Sequence, residues 1–275
     1  MSAFWRRFVR SRSAVLGLAI VVAVILLAAS APIAFPGSPF RPVDRPFLPP
    51  FGSHLFGTDV LGRDVAAGIA HGARTSLLIG LLATAVAVLV GVVTGGVAGY
   101  YGGRIDDALM RVTEFFQTIP TFLFAILLVA ILTPSIRSIV AAIAVVSWPA
   151  VARLVRGEFM AMRHREFVQA CVCLGMSDGR VIFRHILPNC LSPIIVTGSL
   201  IVATAILIES ALSFLGLGDP NTMSWGFMIG AGRTFLRTAW WLCTIPGVAI
   251  LLTVLAINLL GEGLNDTLNP RLRHR

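Results

Sequence analysis

Glu166 stands in the polar stretch that carries most of the readable chemistry of this chain. The stretch is residues 153–189, RLVRGEFMAMRHREFVQACVCLGMSDGRVIFRHILPN, made basic by Arg153, Arg156, Arg163, Arg165, Arg180 and Arg184. A carboxylate placed there can pair with basic groups on a partner surface. Phe167, Ala170, Cys171 and Leu174 follow at helical spacing, and Gly175 interrupts the pattern. Ser177 is then a suitable N-cap for a second short helix, with Asp178 in its first turn where a carboxylate suits the helix dipole. Pro188 is expected to end that helix or bend it into the following segment. These residue types suit recognition by a helix–glycine–helix unit, not bond making. The plainer alternative is an amphipathic loop lying on lipid headgroups.

Catalytic chemistry finds little support elsewhere. The chain has no Lys, so it lacks the residue by which a P-loop reaches the β and γ phosphates. His-Glu-x-x-His does not occur, and His54, His71, His164, His185 and His274 are scattered without ligand spacing. Cys171 and Cys173 frame a Cys-Val-Cys that is neither a zinc nor a thioredoxin spacing; with Cys190 and Cys243 they are expected to be free thiols. Glu209, in ILIESALSFLGLG, is the clear candidate for an ionisable group within an apolar run. Such a group is usually functional, but its place near the end of the run also lets it reach the headgroups.

The elements that position these residues are apolar. Of 275 residues, 56% are hydrophobic and 13% charged, against about 25% charged in a soluble domain. Mean hydropathy is +0.86. The chain is therefore an all-α polytopic membrane protein. A net charge of +9 is explained by arginines flanking the spans, not by nucleic-acid binding.

Six spans are expected. The first follows a basic lead (Arg6, Arg7, Arg10, Arg12) and fills residues 13–34; a signal peptide cleaved near Ala29-Ser30-Ala31 is the competing assignment. A Pro-rich loop, 35–74, leads to a second span over 75–103. Thr58 or Asp59 is expected to cap the start of helix there, and Tyr100 and Tyr101 to lie at headgroup level. Gly91, Gly95 and Gly99 lie four apart on one face and suit close helix packing. A third span over 108–132 is expected to kink near Pro120. A fourth, between Arg137 and Arg153, is short and would need snorkelling arginines and an interfacial Trp148. The fifth covers 191–215, and the last runs from anchors Trp240 and Trp241 to Leu260. The core thus occupies 75–265, and a tail fills 266–275. With the N-terminus inside, fifteen arginines fall on the cytoplasmic side and seven outside, which predicts both termini inside.

Several motifs, in order from His54 to Arg271, resemble the permease subunits of ABC importers of the dipeptide/oligopeptide/nickel type. Glu166, Ala170, Cys171, Gly175 and His185-Ile186-Leu187-Pro188-Asn189 resemble the EAA motif, with Cys171 where a second Ala is usual. Gly57-Thr58-Asp59 with Leu61-Gly62-Arg63-Asp64 resembles a second signature, Phe56 replacing the usual Leu; Ser213–Gly218, Ser224-Trp225-Gly226 and the tail GEGLNDTLNP resemble others, the tail departing at Glu262, Asn265 and Asn269. The resemblance implies a type I importer permease fold with a cytoplasmic coupling helix. Glu166, Ala170, Cys171, Gly175, Ser177 and Pro188 would then contact an ATPase. Glu209, Ser213 and Trp225 become candidates for the translocation path or outer gate. It further implies a bacterial inner-membrane complex with a second homologous permease, two ATPase subunits and an extracytoplasmic binding protein. ATP and Mg would sit on the ATPases, with no cofactor in this chain. Peptides lead as cargo, then nickel chelates, glutathione and other small solutes. An ion-gradient-driven secondary transporter is the rival class.

Overall fold

The computed structural model describes residues 8, 9 and 11–268. Arg6, Arg7 and Arg10 of the basic lead and Arg271, Arg273 and Arg275 of the tail lie outside the described residues. Among those described the chain is helical, with isolated bridges at Pro42–Arg63 and Thr58–Asp64 and no named strand.

The first helix, α1, spans Arg12–Ala34, capped by Ser11, whose hydroxyl accepts from the Ala14 N–H at 3.4 Å. Next come α2, Val65–Tyr101, α3, Gly103–Thr118, α4, Thr121–Leu132, and α5, Ile136–Arg163. The polar stretch supplies α6, Glu166–Cys173, and α7, Asp178–Val181. A π turn, Ile182–Ile186, joins α7 to α8, Leu187–Phe214. A short α9, Trp225–Gly232, precedes the final helix α10, Trp241–Leu268. Among the described residues five segments are long and apolar enough to cross a bilayer, and α3 with α4 form a further apolar pair bent by 85°.

The most extensive packing in the molecule is between α2 and α5. Gly91 meets Val151, Gly95 meets Ala152 and Gly99 meets Arg156 and Phe159, so residue numbers rise together and the two helices are parallel. Parallel neighbours require the connection between them to return across the full height of the bundle. The bent α3–α4 pair makes that return, which completes six crossings. By contrast, Gly17 faces Ala256 and Leu259 while Gly263 faces Ala14, so α1 and α10 run antiparallel, the start of α1 beside the end of α10.

The structure corrects several sequence-based boundaries. The second span starts ten residues early because Asp64, not Thr58 or Asp59, is the N-cap; its Oδ1 accepts from the Ala66 N–H at 2.7 Å and the Ala67 N–H at 3.3 Å. Asp59 instead closes a tight turn, accepting from the N–H groups of Leu61 and Arg63, both at 2.8 Å. The third span is broken, not kinked: Ile119, before Pro120, is extended (φ −89°, ψ 129°), as the proline ring demands. The fourth span runs 28 residues, well past Arg153. It needs no snorkelling, since Arg156 is paired inside the fold and Trp148 is buried against Ala87 and Ala152 rather than interfacial. Trp241 is likewise buried, its indole N–H donating to the Thr58 carbonyl at 3.2 Å, while Trp240 stays exposed.

Candidate functional site

The polar stretch folds as a compact hinge at the Tyr100 end of the bundle. α6 ends in a Schellman arrangement: the Gly175 N–H donates to the Val172 carbonyl at 2.9 Å and the Met176 N–H to the Cys171 carbonyl at 3.2 Å. That closure needs a left-handed residue at Gly175, which has φ +75°. Ser177 takes the extended N-cap conformation ahead of α7, though its hydroxyl makes no capping bond.

The two faces of α6 divide cleanly. Val168 and Cys171 are buried in a cluster with Tyr100, Phe159, Val181 and Ile186. A small side chain suits the Cys171 position, because the helix there lies against the bundle. Glu166 and Ala170 are exposed. Phe167 at 44% and Leu174 at 78% exposure present apolar surface outward. Of the four residues at helical spacing, only Cys171 thus faces the core; the inward stripe is completed by Val168, and the others form an outward face.

Three polar contacts gather at this end of the bundle, one tying the hinge to a span and two tying spans to each other, and none is singled out by the sequence. The Tyr100 hydroxyl donates to Asp178 Oδ1 at 2.8 Å, tying α2 to α7. Tyr100 is therefore buried against the hinge. Arg156 on α5 holds Asp106 on α3 through two bonds, Nε to Oδ1 at 2.5 Å and Nη2 to Oδ2 at 2.6 Å. Arg163 Nη1 donates to the Tyr101 carbonyl at 3.4 Å. An open hollow of about 550 Å³ lies between Tyr100, Tyr101, Arg163, Gln169 and Asp178. A charge at a helix end is legible in sequence, but its partner fifty or more residues away is not.

Pro188 neither ends nor sharply bends the helix. It sits in the second position of α8, directly after the π turn, whose wider spacing makes room for the ring: the Leu187 N–H reaches the Ile182 carbonyl. α7, the π turn and α8 therefore form one continuous 37-residue segment.

At the opposite end, residues 35–64 fold into a strap over α2. His54 lies between two carboxylates, Nε2 at 3.3 Å from Asp44 and Nδ1 at 3.2 Å from Asp64. The Thr58 hydroxyl donates to the Arg45 carbonyl at 2.6 Å and accepts from the Leu48 N–H at 2.9 Å. The Arg45 backbone N–H, first, and then His54 hold the Asp44 carboxyl below the usual carboxylate range. Trp225 and Ser213 are buried nearby, and Trp225 is wholly enclosed, its indole N–H donating to the Ile69 carbonyl at 3.0 Å. Glu209 is 1% exposed, so it does not reach the headgroups. The structure brings Glu209, Ser213 and Trp225 into one buried cluster; the residues of the hinge lie at the other end of the bundle.

Six crossings, a broken third span and an exposed helix–glycine–helix hinge define a permease subunit of an ABC importer. The chain belongs to the family described as binding-protein-dependent transport system inner membrane components, whose pattern matches residues 87–274. Residues 1–50 match the N-terminal transmembrane domain of oligopeptide transport permease C. A putative peptide transport system permease protein of Brucella suis is 42% identical over 270 residues, covering 98% of this chain and 91% of that protein. The dipeptide transport system permease protein DppC of Bacillus subtilis is also 42% identical, over 98% of this chain and 85% of its own length. The oligopeptide permease OppC of the same organism is 38% identical, over 97% and 88%. A solved structure of an amino acid ABC transporter with histidines shares the fold, at TM-score 0.53 and 15% identity, over 69% of this chain and 89% of that one.

Proposed function

We propose that this chain forms one half of a peptide translocation path in a bacterial inner membrane and receives the motion of a separate ATPase through α6. The observation that carries this reading is the outward face of α6, with Glu166, Phe167, Ala170 and Leu174 exposed on a helix whose other face is locked into the bundle. An exposed apolar patch with a charge at its edge suits docking into a protein groove. A second homologous permease would complete the path, with two ATPase subunits holding ATP and Mg. A binding protein would meet the strap over residues 35–64. Peptide cargo rests on the relatives' names, with nickel chelates, glutathione and similar solutes as alternatives. The excess of arginines, fifteen against seven, supports a cytoplasmic hinge and cytoplasmic termini.

Glu166→Arg and Gly175→Val test the reading in proteoliposomes containing the whole complex. Charge reversal sets like charges against the partner, worth several kcal/mol in a partly desolvated interface. Valine at φ +75° strains the hinge. In both variants uptake and binding-protein-stimulated ATP hydrolysis should fall together, or the ATPase should fail to co-purify. Wild-type uptake with the ATPase still bound would remove α6 from the coupling path.

A further inference from the structure

Glu209 lies deep in α8, and its carboxyl faces the start of α9. Its Oε1 accepts from the Ser213 hydroxyl at 2.9 Å and from the Ser224 hydroxyl at 2.7 Å. Its Oε2 is buried without a hydrogen-bond partner, and no cation pairs with Glu209 among the described residues. Ser224 is the N-cap of α9, its oxygen also accepting from the Phe227 N–H at 3.0 Å. The next residue is held by α2: the Trp225 backbone N–H donates to the Ser76 hydroxyl at 3.2 Å. Gly226 lies against the carboxyl, where a Cβ would fall 2.8 Å from Oε1 and 3.0 Å from Oε2.

A carboxyl within a membrane protein serves by its charge or as an acceptor. Use of the charge requires a relay of ionisable groups, a water-filled cavity or a cation beside it. The hydroxyls of Ser213 and Ser224 and the backbone of Gly226 lie against Glu209 instead, with the Ser210 side chain beside them. The acceptor role is filled twice, by hydroxyls from two different elements. We propose that Glu209 is a positioning residue that acts through Ser224: Oε1 docks segment 224–232 onto α8 beside α2, and the carboxyl carries no ion and touches no transported solute. The outer ends of α2, α8 and α9 then move as one body during transport. This rests on the importer reading only for the uptake measurement below.

Two conservative variants separate reach from charge. Glu209→Gln keeps an acceptor oxygen at the same reach and removes the charge. Glu209→Asp keeps the charge and withdraws the oxygen by one methylene. The assembled complex in nanodiscs is followed by hydrogen exchange, and proteoliposomes report uptake. Gln should match the wild type within about twofold in both. Asp should speed exchange across 224–232 by roughly two- to tenfold, the range for one lost hydrogen bond, with α5 and α10 unchanged and uptake reduced. An active Asp variant with an inactive Gln variant would overturn the proposal in favour of a charge role, and unaltered exchange at 224–232 in Asp would overturn it outright. Should the Asp variant not assemble, Glu209→Met decides: it keeps the volume, buries no charge and removes the acceptor, and exchange at 224–232 must rise. Unchanged exchange in that variant counts against the proposal. Exchange is measured without ATP or binding protein, so failure of α6 coupling leaves this result readable.

Discussion

The Tyr100 hydroxyl, in the last turn of α2, donates to Asp178, in the first turn of the helix after Gly175, at 2.8 Å. The bond joins the longest helix of the bundle to the hinge that faces outward. Tyr100→Phe removes it while keeping the ring in its cluster. Because Asp178 is exposed, the loss should cost only about 1 kcal/mol. Expected is faster hydrogen exchange across 174–181 and uptake lowered a few-fold, with unchanged subunit yield. Uptake and exchange both equal to wild type would show that α2 does not steady the hinge.

The glycine face of α2 gives a stability prediction within this chain. A Cβ at Gly95 would run into the Ala152 carbonyl and come within 2.9 Å of its carbon; these are backbone atoms with nowhere to go. Gly95→Ala should therefore destabilise the subunit by about 1–3 kcal/mol, despite alanine's better helix propensity, and Gly95→Leu by more. Gly157→Ala is the control, since nothing lies within 4 Å of its Cβ position. It should be neutral or stabilising, by up to about 1 kcal/mol. Thermal denaturation in detergent ranks the three; a Gly95→Ala melting point equal to wild type contradicts the close approach.

Arg156 and Asp106 give a third. Removing the acid alone strands a partly buried guanidinium, and removing both does not. Asp106→Ala should cost about 1–3 kcal/mol, discounted because the Arg156 side chain is 36% exposed. Adding Arg156→Met should recover part of that loss, with a coupling of about 1 kcal/mol or more. Strictly additive melting shifts would mean that the pair does not tie α3 to α5.

Orientation is tested by labelling. A cysteine at Ser53, in the strap, should react with an impermeant thiol reagent added to intact cells, and one at Ser177 should not, measured in a background without the four native cysteines. The opposite pattern would invert the arrangement.

Much of this architecture was readable from composition. Apolar runs locate the spans because lipid rewards nothing else, and the Gly175 break is legible because few residues tolerate its angles. What escaped was long-range pairing. The α5 helix was truncated at Arg153 because an arginine ends a hydropathy window; that the next turn's Arg156 is neutralised by Asp106, fifty residues earlier, is a fact of the fold. Glu209 shows the same limit. Ser213, one turn on, shares its face by simple periodicity. Ser224 comes back only after the chain has left α8, turned and re-entered as α9. The break at Pro120 was visible, but an 85° bend required knowing that α2 and α5 run parallel and that the link must climb back.

The length of α2 has a mechanical consequence. Its 37 residues extend about 56 Å at ~1.5 Å each, nearly twice the ~30 Å hydrocarbon thickness. One rod therefore joins the Asp64 strap to the Tyr100 hinge without a joint, and the α5 backbone braces it along Gly91, Gly95 and Gly99. A tilt of about 5° around one end of such a rod sweeps the other by about 5 Å. The two ends of the bundle are thus connected by a single rigid element, so a tilt imposed at one mouth displaces the other.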